Sequence, residues 1–177
     1  MTDAALIVAL ANARLPRRPT GARAPEQHDA LSDARSATEL LAPFLERPVG
    51  PRELPALHEL QRAVLALVDT LIDGRPAQTE SVNRLAGRHA AVRVLERRAD
   101  GTLHTTLRYP HPSAAAILTE RAIGGLAELD PRRLRRCGRP ECALVFHDRT
   151  RSGTQRWHNE RPCGLRERQR RHRALAG

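Results

Sequence analysis

The chain has 177 residues, a length that suits one domain or a domain with a small appended unit. Hydrophobic residues make up 40% of the chain and aromatic residues 2%. A core built from Leu, Val, Ile and Ala favours helices. The formal net charge is +10, and all thirty basic residues are arginine. The N-terminal apolar run is short and has no basic segment before it. This excludes a typical signal peptide or membrane anchor there and predicts a cytoplasmic protein.

The charge is concentrated at one end of the chain. Residues 130–177 contain fourteen arginines and five acidic residues, a net charge of +9, whereas residues 1–129 carry +1. A basic block attached to a nearly neutral domain indicates a polyanionic partner, most often nucleic acid.

The predicted elements of the first half are helices. Residues 4–13 predict a short apolar helix, and residues 14–30 a loop rich in Pro, Gly and Arg. The sequence from Ser36 to Glu39 has a capping-box pattern that would open a helix through Leu45. Apolar residues at three- to four-residue spacing then predict the longest helix over 54–72, ended by Gly74 and Pro76.

A helix is predicted over 79–90, and after it the apolar residues change from helical spacing to partial alternation. Asp100-Gly101 lies between two partly alternating segments, which predicts a β-hairpin. Ser113 is a candidate cap for one more helix, and Asp130-Pro131 ends it. The expected fold class is α+β and mostly helical. A helical N-terminal domain with one β-hairpin (residues 1–129) precedes a small treble-clef or zinc-ribbon-like finger (residues 130–177).

The three cysteines, Cys137, Cys142 and Cys163, all lie in the basic block. An odd number in so short a segment argues against a disulfide framework, and two thiols on a Gly/Pro turn followed by a third near a helix start are typical of a zinc finger. From spacing alone, the fourth ligand is one of three histidines: His147, His158 or His172. Four protein ligands would make a structural zinc site, one ion per chain, with no open position for substrate water.

The segment from Leu134 to Arg166 resembles the CGNR zinc finger. Its motif has two cysteines, Phe-x-Asp, Arg-Trp-Cys, Cys-Gly-Asn-Arg and a basic helix. The residues in register are Phe146, Asp148, Arg156, Trp157, Cys163, Gly164 and Arg166. His158 stands where the family has its third cysteine, which favours His158 as the fourth ligand. Leu165 replaces the Asn of the signature, a change that bears on local contacts such as hydrogen bonding at the helix start.

In that family the finger follows an ABATE domain, a mostly helical unit of stress-induced transcription regulators. The order of the long Leu-rich helix, the hairpin and the Ser113 helix is similar, so the resemblance implies an ABATE-like domain over residues 1–129. It also implies a bacterial regulator of transcription in the stress response. We expect Asp148 to be a hydrogen-bond acceptor, either in a turn or as the residue that orients His158 or Arg156. We expect Phe146 and Trp157 to form a small core beside the metal.

We predict DNA binding through the C-terminal basic helix, whose phosphate contacts would come from Arg166, Arg168, Arg170, Arg171 and Arg173. The N-terminal domain would then sense a small-molecule ligand or mediate oligomerisation. The alternative is a zinc-stabilised protein-interaction module that does not bind DNA directly. The sequence contains no pattern typical of an enzyme site, so we predict no catalytic residues. We also predict no membrane partner.

Overall fold

A computed structural model describes residues 2–14, 16–17, 26–27 and 29–175. The predicted loop over 14–30 therefore lies largely outside the described residues. About half of the chain is helical, and the sheets of the described part are antiparallel pairs of strands. No helix in the described ranges is long and apolar enough to cross a membrane.

The first helix lies at the centre of the helical part, packed against two later helices and the finger. Helix α1 spans Asp3–Ala11, and α2 spans Ala34–Leu41. Two short strands, β1 (Pro16–Arg17) and β2 (Glu26–Gln27), lie between them. Helix α2 begins before the predicted capping box, because Asp33 rather than Ser36 caps it: the Asp33 carboxylate accepts a hydrogen bond from the Ser36 amide at 2.9 Å.

The predicted Leu-rich helix is α3, Leu54–Ile72, entered through a 3₁₀ turn at Pro51–Glu53. Its apolar stripe is buried and packs against α1 and against α5, which spans Ala114–Glu128. Helix α4, Glu80–Arg88, packs against both α3 and α5. Ser113 caps α5 as predicted, its hydroxyl accepting from the Ala116 amide at 3.1 Å.

The hairpin around Asp100-Gly101 is confirmed as strands β3 (Val92–Arg97) and β4 (Leu103–Arg108). Two of its leucines are largely exposed, Leu95 by 64% and Leu103 by 62%. The hairpin therefore adds little to the core and leaves an apolar face uncovered by the described residues.

The C-terminal segment packs on the helical part. After a 3₁₀ turn at Pro131–Arg133, strands β5 (Leu134–Arg136) and β6 (Val145–His147) form a small antiparallel sheet. Leu134 and Val145 belong to the same buried cluster as α1 and α3. A π-helical turn at Glu160–Gly164 then leads into α6, Leu165–Leu175.

Candidate metal centre

Three separate pieces of backbone carry the four predicted ligands. Cys137 and Cys142 flank a turn between β5 and β6, His158 ends a long loop, and Cys163 lies in the π-helical turn before α6. The turn is closed by a hydrogen bond from the Cys142 amide to the Arg139 carbonyl at 2.9 Å. This turn from Cys137 to Cys142, called the knuckle below, holds its two thiols close together.

The knuckle is tied directly to the loop that carries His158. The Gly138 amide donates to the Arg156 carbonyl at 2.8 Å, and a Cβ at Gly138 would lie 3.1 Å from that same oxygen. Glycine lets the two backbones approach this closely. The contact fixes His158, two residues after Arg156, beside the knuckle cysteines.

The ligand atoms of Cys137, Cys142, His158 and Cys163 all lie within 4.8 Å of one another. His158 Nδ1 is 3.4 Å from the Cys142 Sγ and 3.6 Å from the Cys163 Sγ. A tetrahedral zinc ion with usual Zn–S and Zn–N bond lengths has a sulfur-to-nitrogen edge of about 3.5 Å. The donor set and its spacing therefore fit a single structural zinc.

Zinc binding at this site is coupled to the protonation of its ligands. Burial raises the pKa of the Cys142 thiol to about 12, and it also raises the pKa of Cys163. Burial lowers the pKa of His158, so its imidazole is neutral and available as a ligand at neutral pH. Zinc must displace protons from the thiols, so its affinity decreases as the pH falls.

The structure places the other candidate histidines outside this cluster. His147 is partly buried in β6 and is not among the grouped ligands, and His172 is exposed on α6. Three cysteines and one histidine leave no coordination position for substrate water, so zinc bound here would cross-link the knuckle, the loop and α6.

Asp148 has the first of its two expected roles, that of a hydrogen-bond acceptor in a turn. Its carboxylate accepts from the Thr150 amide at 2.9 Å, the Thr150 hydroxyl at 2.6 Å and the Gln155 amide at 2.9 Å. These bonds, with the Thr150 hydroxyl first, hold its pKa below the ordinary value. Asp148 therefore organises the loop from 148 to 155 and contacts neither His158 nor Arg156 directly.

The two aromatic residues near the site differ in how far they are buried. Phe146 is buried, as predicted for a small core. Trp157 is only partly buried, with the guanidinium groups of Arg156 and Arg168 at 5.5 and 5.9 Å from its ring centroid. Cation–π contacts at this distance anchor the loop to α6.

The entry into α6 explains how the helix forms without the signature Asn at 165. The Asn159 side chain accepts from the Arg161 amide at 3.1 Å and so caps the turn that carries Cys163. Leu165 is 47% exposed at the start of α6. The hydrogen bond at the start of this segment thus comes from Asn159.

Sequence reasoning missed one residue that positions the finger. The Asn12 amide group donates to the Val145 carbonyl at 2.8 Å and accepts from the Val145 amide at 2.9 Å. It pairs with β6 as a neighbouring strand would. Its position at the end of α1 was the available signal, but a side-chain partner 133 residues away cannot be found from spacing.

Fold and site together define a class: a helical protein with a small C-terminal finger built around a structural metal. Residues 133–175 match the family of the CGNR zinc finger, which supports the resemblance proposed from the motif. The match covers the finger and not the N-terminal helices. No curated protein is similar enough to the chain to match it.

The identity of the fourth ligand can be tested by substitution. We expect His158→Cys to keep zinc, because a fourth thiolate suits the same tetrahedron. We expect His158→Ala to weaken zinc binding by at least about a hundredfold, since one of four bonds to the metal is lost. Competition with a chromophoric chelator measures both. His147→Ala is the matched control, and loss of zinc in that variant alone would show that His147 is the ligand instead.

Proposed function

We propose that the protein is a DNA-binding transcription regulator of the bacterial stress response, working in the cytoplasm without catalytic activity. The finger would fix the position of α6 against DNA, and the ABATE-like N-terminal part would sense a ligand or mediate oligomerisation. The observation that carries the proposal is the net charge of +9 on residues 130–177, because such a basic surface attracts phosphates.

The arginines of α6 support this proposal unequally. Arg168 pairs with Glu160, and the buried carboxylate of Glu167 accepts from Arg170 at 2.8 Å and from Arg171 at 3.0 Å. These hydrogen bonds lower the pKa of Glu167 to about 2, so it stays charged. Arg170 and Arg171 are therefore engaged in holding an internal carboxylate.

Arg166 and Arg173 are the better candidates for phosphate contact. Both are exposed, and neither has a carboxylate partner among the described residues. They line a groove of about 300 Å³ between α6 and the knuckle, together with two ion-paired sets, Arg139 with Glu141 and Arg170 with Glu167. Their spacing puts them on one side of the helix, as a phosphate-binding face requires.

Salt-dependent DNA binding tests the function. If four to six arginines contact phosphates, log K should fall with log salt with a slope of roughly −4 to −5. Arg166→Gln with Arg173→Gln should make that slope shallower by about 1.8, because each phosphate contact releases about 0.9 counterion. Gel shifts with one DNA duplex across a salt series provide the measurement.

The control variant has the same change of charge far from the finger. Arg52→Gln with Arg84→Gln removes two exposed arginines that have no carboxylate partner among the described residues, and it should leave the slope unchanged. If folded, zinc-loaded wild-type protein shows no DNA binding at low salt, the regulator proposal is wrong.

One observation favours the second candidate function, a zinc-stabilised protein-interaction module. The β3–β4 hairpin exposes Leu95 and Leu103, which lie on the same face of the two strands. A two-stranded hairpin is marginally stable alone, so a protein that covered this apolar face would stabilise it. In that case Leu95→Ser would abolish partner binding while the salt dependence of any DNA binding stayed as in the wild type.

A further inference from the structure

A second basic surface lies away from the groove beside α6. A cleft of about 810 Å³ opens between the C-terminal end of α3 and the first strand of the finger. Its apolar wall includes Leu71, Ile72 and Leu134. Its polar wall consists largely of five arginines: Arg75, Arg132, Arg135, Arg136 and Arg156. No carboxylate among the described residues lines it.

The end of α3 is built so that Arg75 reaches this cleft. Gly74 has a φ of +64°, and the Arg75 amide donates back to the Thr70 carbonyl at 2.9 Å while the Gly74 amide donates to the Leu71 carbonyl at 3.2 Å. This Schellman motif turns the chain sharply after the helix. Arg75 therefore projects from the helical part toward the finger.

Two arginines form the fixed base of the cleft. Arg136 bridges to Asp69 on α3 and donates to the Ala143 carbonyl at 3.3 Å. Arg135 donates to the Gly153 carbonyl at 2.6 Å. Arg136 holds the finger against α3, whereas Arg135 braces a loop within the finger. Both side chains line the cleft.

The other three arginines have freedom to meet a ligand. The side chains of Arg75 and Arg132 are 57% and 92% exposed, each paired with a neighbour in sequence, Asp73 at 2.9 Å and Asp130 at 3.3 Å. Arg156 is exposed beside Trp157. Exposed ion pairs of this kind contribute little stability, so an anionic ligand can compete for these guanidinium groups.

Four of the five cleft arginines are paired with carboxylates. The carboxylates that pair with four of its arginines, Asp69, Asp73, Asp130 and Asp148, are not among its lining residues. The C-terminal end of α3 contributes about half a negative charge, and its last carbonyls are partly used by the Schellman bonds. With the four paired carboxylates counted, the five guanidinium groups leave a charge of +1, carried by Arg156. A phosphate bound by Arg75 or Arg132 therefore replaces Asp73 or Asp130 as the partner of that guanidinium group.

We propose that this cleft binds phosphate groups, held jointly by the helical part through Arg75 and by the finger through Arg132 and Arg156. A guanidinium group can donate two parallel hydrogen bonds to a phosphate, which strengthens the binding and fixes the orientation of the phosphate. The volume lies within the range of small-ligand sites, and such sites occur preferentially between structural units. The phosphates belong either to a nucleic-acid backbone, in which case the proposal rests on the proposed function, or to a free phosphorylated molecule.

The direct test is calorimetric titration of zinc-loaded protein with inorganic pyrophosphate at low ionic strength. The cleft variant is Arg75→Gln, Arg132→Gln and Arg156→Gln, three exposed residues that are not zinc ligands. We expect pyrophosphate affinity to fall by at least about tenfold, since three charged donors are removed. Zinc content measured after the titration shows that pyrophosphate has not removed the metal.

The matched control for the cleft variant is Arg52→Gln, Arg84→Gln and Arg93→Gln, which removes the same charge from exposed positions outside the cleft. It should bind pyrophosphate within about twofold of the wild type. Wild-type affinity in the cleft variant, or an equal loss in the control, would overturn the proposal. If the triple variant fails to fold, Arg75→Gln and Arg132→Gln tested singly decide the matter in the same way.

Gel shifts with the same variants identify the source of the phosphate. If the cleft variant makes the DNA salt slope shallower by roughly two to three units and pyrophosphate competes with DNA, the ligand is the nucleic-acid backbone. If DNA binding is unchanged while pyrophosphate binding is lost, the ligand is a free phosphorylated molecule.

The proposal for the cleft and the proposed function can fail separately. Wild-type protein that binds pyrophosphate in the cleft but no DNA would contradict only the proposed function. Wild-type protein that binds DNA with a salt slope sensitive to Arg166 and Arg173, yet binds pyrophosphate no better than the cleft variant does, would contradict only the cleft.

Discussion

Cys137→Ser and Cys163→Ser should each abolish stoichiometric zinc binding and unfold the C-terminal finger. Purified wild-type protein should contain about one zinc per chain. The binding free energy of a structural zinc in a finger is about 10–16 kcal/mol, far more than so small a sheet and knuckle can replace. The side chains of both cysteines are almost completely buried, so serine cannot recover the loss through solvent exposure.

The measurement combines metal analysis with amide hydrogen exchange. Two hydrogen bonds report on the finger: Cys137 amide to Leu144 carbonyl and Gly138 amide to Arg156 carbonyl. Their protection should be lost in both cysteine variants, while amides in the middle of α3 should stay protected. His172→Ala, an exposed residue of α6, is the control and should keep both zinc and protection. A full zinc content in the two cysteine variants would contradict the assignment of the site.

The parts of this structure that follow from local rules could be predicted from the sequence. Helix α3 has a regular apolar period and a glycine at its end, and Asp100-Gly101 between alternating segments gives the hairpin. The three cysteines could be assigned to a metal because an odd number of thiols in two close groups suits zinc and does not suit a disulfide framework. The family motif then selected His158 from three histidines, and the structure places it beside the cysteines.

Competing local signals and distant contacts could not be resolved in the same way. Asp33 and Ser36 are both good cap residues three positions apart, and the choice of Asp33 depends on where α2 meets the rest of the helical core. The pairing of Arg170 and Arg171 with Glu167 also cannot be predicted from composition, because the composition of an arginine-rich helix does not show that its one acidic residue is buried. Net charge therefore overestimates how many guanidinium groups are free for phosphate.

The assignment of two separate domains, residues 1–129 and 130–177, stays a prediction, as does the ABATE-like identity of the first. The two parts are in contact with each other in the structure. Leu134 and Val145 are buried with α1 and α3, and Arg136 pairs with Asp69. A finger expressed alone would expose these apolar side chains, so DNA-binding tests are best made on the full chain.

The Asn12 contact gives the second large expected effect. Asn12→Ala should destabilise the folded protein by about 2–6 kcal/mol, because the partly buried amide and carbonyl of Val145 would both lose a partner, at about 1–3 kcal/mol each. Asn83→Ala removes an Asn with only a weak contact, 3.4 Å to the Thr79 hydroxyl, and should change stability by less than about 0.5 kcal/mol.

Urea unfolding at saturating zinc measures both Asn variants, and Asn12→Asp separates the two hydrogen bonds. A carboxylate at 12 can still accept from the Val145 amide, but its second oxygen faces the Val145 carbonyl oxygen and repels it. This repulsion in a partly buried site should make the variant no more stable than Asn12→Ala. Zinc content should stay at one per chain in all three, since Asn12 is not a ligand. Equal stability of Asn12→Ala and wild type would mean that burial of Leu134 and Val145 alone holds the finger against α1. A stability loss accompanied by a loss of zinc would instead show that docking on α1 is needed to form the metal site itself.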